Sequence, residues 1–134
     1  MTTTSNIEMP GSWPEFQVLA KNCPSRPVFE VITGRWSALT LLVLGEDPKR
    51  FSEIRREVDG INEKALAQSL RALERDGFVE RHASDGYPSR VEYNLTGLGV
   101  STTALLRGLV EHLQDRMPEV LEAQADYNRR HPDA

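Results

Sequence analysis

The 134-residue chain has a single cysteine, Cys23, so no disulfide can form within it and no multi-thiolate metal site is available. Its three histidines, at positions 82, 112 and 131, are too scattered to chelate a metal. No close pair of acids and no nucleophile–base arrangement supports catalysis, so an enzyme is not expected and no cofactor or metal is called for. Apolar runs stay well short of the ~20 residues that span a bilayer, and "MTTTSNIEMPGS" has neither a basic start nor an apolar stretch that would mark a secretory signal. A cytoplasmic protein with no membrane partner is expected. Aromatics make up only 7% of the residues, and cations are outnumbered, leaving a net charge of -4.

That acidity is unevenly distributed. Residues 49–90 hold nine Lys/Arg against eight Asp/Glu, while the remainder holds seven against twelve. The balance within 49–90 matters less than the face on which its cations fall.

Residues 1–11 are expected to be a disordered tail, residues 12–130 one domain, and residues 131–134 a C-terminal tail. Ser12-Trp13-Pro14-Glu15 has the form of a capping box, predicting a short helix over about 13–21 that presents Trp13, Phe16, Val18 and Leu19. Pro24 and Pro27 suit the first turn of a second helix, with Gly34 as its left-handed stop. "RWSALTLLVLG" is apolar almost all round, as a central buried helix would be, and ends at Gly45. After a turn at Asp47-Pro48 and an extended Lys49–Phe51, Ser52 can cap a helix burying Phe51, Ile54 and Val58.

Asp59-Gly60 then turns the chain and Asn62 caps the next helix. At 100° per residue, Leu66, Leu70 and Leu73 share one side of it. Lys64, Ala67, Gln68, Arg71 and Arg75 share the other, with no acid among them. Gly77 ends this helix. Strands are predicted at 78–84 and 89–95 around a turn at 85–88. Two helices joined by a glycine turn and followed by a hairpin form a winged helix-turn-helix, here mainly α with a small β-hairpin wing. From Thr96 a last helix carries the apolar stripe Leu98, Leu105, Leu109, Leu113, Met117, Val120 and Leu121, with Pro118 expected to kink or break it. So long a stripe predicts contact with a second copy.

The ordered motifs "EVITGRW", "RFSEIRR", "GINEKAL", "LRALERDGFVER" and "PSRVEYNLTGLG", spread over about residues 23–99, resemble the HxlR-type family of bacterial winged helix-turn-helix transcriptional regulators. The resemblance implies a homodimer, joined by N- and C-terminal dimerisation helices, that binds palindromic operator DNA. The chain departs from the family pattern at the wing, where Asp85 stands near the tip.

Set against duplex DNA, Lys64, Gln68 and Ala67 suit guanine, adenine and the thymine methyl respectively. Arg71 and Arg75 suit phosphates. Lys49, Arg50, Arg55, Arg56, Arg81, His82 and Arg90 could widen the footprint, though Arg90 could instead pair with Glu92 or Glu80. Cys23, before a helix start, is a redox-sensing candidate, because amides there favour a thiolate. Some family members sense oxidants or electrophiles through a cysteine in this place. A buried interface residue is the alternative for Cys23. A small-molecule effector at the dimer interface, or a winged helix that docks protein, is the alternative for the whole chain.

Overall fold

The computed structural model describes residues 16–45 and 47–133. Residues 16–24 form successive turns closed by Ala20 N–H to Gln17 O and Cys23 N–H to Ala20 O, not the helix expected over 13–21. So short a segment, stopped by Pro24, gains too few helical bonds to offset nucleation. Trp13, the capping box around it and the tail of residues 1–11 lie outside the described residues.

Helix α1 (Ser25–Ile32) does begin at Pro24 and holds Pro27 in its first turn. Gly34 is not its left-handed stop. Its φ of -65° and ψ of 148° are extended, and it is the N-cap of α2 (Arg35–Leu44). Only Thr33 and Gly34 join two helices bent by 70°. A Cβ at Gly34 would lie 3.2 Å from the Val31 carbonyl oxygen, so close backbone approach explains the glycine better than handedness.

On α2, Ser37, Thr40, Leu41 and Leu44 are buried, but Leu39 is exposed. The helix is therefore not enclosed on all sides as its composition predicts. Thr40 is tolerated inside because its hydroxyl donates to the Trp36 carbonyl at 2.7 Å.

A two-residue strand, β1 (Lys49–Arg50), leads directly into α3 (Phe51–Glu57). The backbone N–H of Arg50 donates to Glu53 Oε1 at 2.8 Å, so Arg50 is the cap position and Ser52 lies within the helix. Pairing of β1 into the sheet holds Arg50 extended, and this starts the helix two residues earlier than the sequence suggests. Gly60, at φ +86°, turns the chain toward α4 (Glu63–Arg75). Asn62 caps α4 as expected, its Oδ1 accepting from Ala65 N–H at 2.8 Å.

The end of α4 is a Schellman turn. Phe78 N–H reaches Leu73 O, Gly77 N–H reaches Glu74 O, and Gly77 takes φ +89°. Leu66, Leu70, Leu73, Phe78 and Val79 join Leu41, Leu44, Ile54, Val58 and Ile61 in one core. Strands β2 (Val79–Ala83) and β3 (Val91–Leu95) form the wing, and β1 adds to β3, giving an antiparallel sheet ordered β1-β3-β2.

Thr96 starts α5 (Gly97–Arg130), accepting from Gly99 N–H and donating to Gly77 O. Its helical bonding continues past Pro118, so the expected break does not occur. Proline there removes a single N–H from a helix whose later turns are largely exposed, and the helix runs on around that loss. Five helices and a small antiparallel sheet make a winged helix-turn-helix, with α3 and α4 as the paired helices.

Candidate nucleic-acid interface

The two sides of α4 differ sharply. Leu66, Leu70 and Leu73 are buried, while Lys64, Gln68, Arg71 and Arg75 are exposed and Ala67 is half-buried among them. Among the described residues, Lys64 and Arg71 form no ion pair. Arg75 differs: its guanidinium makes a two-pronged contact with Asp76, at 2.9 and 3.1 Å, which pushes its pKa further up.

Other candidate cations are also engaged by the chain's own carboxylates. Lys49 Nζ lies 3.2 Å from Glu57, and Arg55 lies 3.3 Å from Glu63. The sequence reading missed both pairings, because each partner reaches its cation only when the chain turns back on itself. Arg50, by contrast, has its side chain free of ion pairs among the described residues. Its amide, followed by the charges of Arg50, Lys49 and Arg56, holds the Glu53 carboxyl below its ordinary pKa.

On the wing, His82 meets Glu80 at 3.1 Å. Arg90 pairs with neither Glu92 nor Glu80; its backbone closes the turn instead, donating to Ser84 Oγ and accepting from Ser84 N–H. Tyr87 at the tip is fully exposed. The β2–β3 register sets Arg81 opposite Tyr93, which places Arg81 on the face of the wing that turns toward α4.

Cys23 lies two residues before α1, half-buried. Its Sγ contacts Ser25 Oγ at 3.3 Å and accepts from Gln17 N–H at 3.0 Å. The Ser25 hydroxyl first, then the Ser25 amide, lower the thiol's pKa; burial opposes them, and the Gln17 amide adds a lesser lowering. Beside it opens an apolar groove of about 540 Å³ lined by Phe16, Pro24, Val28, Phe29, Phe78 and Leu98. Along α5, Leu98, Leu105, Leu109, Leu113, Met117 and Leu121 are all exposed, Leu105 at 78%. No group of three or more His, Cys, Asp or Glu among the described residues could hold a metal, and no single helix is long and apolar enough to cross a membrane.

The HxlR-like helix-turn-helix family model matches residues 31–121. The chain belongs to this family. The HTH-type transcriptional regulator YtfH of Escherichia coli is 42% identical over 117 residues, 87% of this chain and 93% of YtfH. The solved structure of the transcriptional regulator ytfH from Salmonella typhimurium superposes with a TM-score of 0.77 at 40% identity, covering 83% of this chain and 99% of ytfH. The reduced form of the regulator YodB from Bacillus subtilis superposes with a TM-score of 0.61 at 34% identity, covering 70% of this chain and 92% of YodB. YodB has also been solved after diamide treatment. This HxlR-like chain is accordingly a helix-turn-helix transcriptional regulator, and DNA is its partner.

Proposed function

We propose that the protein is a cytoplasmic repressor that binds a palindromic operator as a homodimer, each protomer contributing residues 12–130 as one DNA-binding unit. The observation that carries this reading is the exposed face of α4, where Lys64, Gln68 and Arg71 stand free of ion pairs among the described residues, opposite a buried leucine row. A major groove admits one such helix. Lys64 donates to guanine O6 and N7, Gln68 pairs with adenine, and Ala67 meets a thymine methyl. Arg71 and Arg75 take backbone phosphates, and Lys49, Arg50, Arg55, Arg81 and Arg90 extend that contact. Lys49, Arg55 and Arg75 exchange Glu57, Glu63 and Asp76 for phosphate as they do so.

The dimer forms along the apolar stripe of α5, whose leucines stay exposed among the described residues. A signal acts by favouring one spacing of the two α4 helices over another. The lowered thiol pKa of Cys23 supports an oxidant or electrophile as that signal. The apolar groove beside Cys23 supports a second reading, a small apolar effector bound near the interface.

The test is selection of a duplex from a random-sequence pool, followed by mobility shifts. Lys64→Ala and Gln68→Ala should each lose about 1–3 kcal/mol of discrimination between bases, and Arg71→Ala should weaken all sequences alike. A wild type that forms no saturable, salt-sensitive complex overturns the reading.

A further inference from the structure

The inner face of the wing carries a charge where strand alternation calls for an apolar side chain. Val79 faces Leu95, Arg81 faces Tyr93 and Ala83 faces Val91, so these side chains share one side of the sheet. On that side Val79 is buried, and Tyr93 and Leu95 pack against the core. Arg81 lies just beyond the core's edge. It lines a cleft of about 270 Å³ with Phe51, Ala67, Arg71, Glu74 and Tyr93.

Two arginines thus line one cleft from separate elements, Arg71 from α4 and Arg81 from β2. Neither forms an ion pair among the described residues, and Glu74, the one carboxylate lining the cleft, forms none either. The two positive charges outnumber the single negative charge of Glu74, so the cleft retains an excess of positive charge that favours an oxyanion. The planar fork of arginine matches phosphate oxygens in pairs. The cleft's position narrows the source of that phosphate. A sugar-phosphate strand is what separates a major groove from the neighbouring minor groove, so a protein with α4 in the first and its wing at the second straddles one strand between them.

We propose that the Arg71–Arg81 cleft seats a single backbone phosphate of duplex DNA, held by both guanidiniums at once and walled by Phe51 and Tyr93. The proposal rests on the DNA-binding reading above and deepens it. One shared phosphate sets how deeply α4 sits in the groove, because phosphate contacts fix register where base contacts read sequence.

The experiment uses the full chain and the selected duplex, with each phosphate replaced in turn by a neutral methylphosphonate. In wild type, one position in each half-site should weaken binding by about tenfold, the size expected of a charge-assisted contact. Arg71→Gln and Arg81→Gln should each blunt the effect at that same position, and the double variant should be indifferent to it. Arg81→Lys, which keeps the charge without the fork, should retain part of the effect and guards against damage to the wing. If Arg81→Gln leaves the profile unchanged, or the two variants lose sensitivity at different phosphates, the shared seat is refuted while DNA binding stands. A wild type that binds no duplex refutes both.

Discussion

Gly99 sits where α5 presses closest on the chain leaving α4. A Cβ there would lie 2.1 Å from the Phe78 carbonyl oxygen and 3.2 Å from Leu95 Cβ, backbone and strand atoms that cannot swing aside. Gly99→Ala should therefore destabilise by about 1–3 kcal/mol, read as a lower urea midpoint at unchanged slope. An unmoved midpoint would show that α5 is not seated as described. Cys23 offers a chemical test at the same scale. Because the Ser25 hydroxyl lowers the thiol's pKa, its alkylation rate should rise through a midpoint below that of free cysteine, and Ser25→Ala should move that midpoint upward. If diamide releases DNA equally from wild type and Cys23→Ser, the cysteine is not the sensor. The exposure of Lys64, Gln68 and Arg71 on one side of α4 was legible from helical spacing alone. The partners of Lys49 and Arg55 were not, since Glu57 and Glu63 meet them only through the turns around α3.

At the level of elements, α4 is the piece most fully written in the chain. Asn62, the leucine row and Gly77 mark its start, inner face and stop, and each acts locally. Asn62→Ala should cost ~1 kcal/mol of stability by leaving the Ala65 amide unbonded, measurable by denaturant titration. The same change should weaken DNA binding beyond that loss, because Lys64 stands in the frayed turn. Equal stability in the variant would mean water satisfies that amide just as well. Elements governed by distant contacts were less legible. β1 is two residues long and exists because β3 offers it a ladder. Gly34 looked like a stop because glycine commonly ends helices, yet the sharp α1–α2 bend uses it to begin one.

Across the whole molecule, the charges divide the labour. Residues 49–90 are close to neutral and the remainder is acidic, so the proposed attraction to DNA falls to the exposed cationic face of α4 and not to the chain's total charge. The exposed stripe of α5 sets the proposed assembly. Leu109→Asp combined with Leu113→Asp places charge on that stripe without touching the core, since both leucines are exposed in the protomer. Sedimentation should then report single protomers that retain their fold and bind the selected duplex far more weakly. A double variant that still sediments as a dimer would move the interface elsewhere.

The order of helices and wing, the polarity of α4 and the family could be read from the sequence because they depend on periodicity, caps and turns spanning a few residues. Which cations are already paired, that α2 keeps one side open, that α5 continues past Pro118, and that Arg81 and Arg71 line one cleft were decided by the tertiary structure. Those features come from contacts between segments far apart in the chain, and strand register or packing direction leaves no local mark that a single sequence could carry.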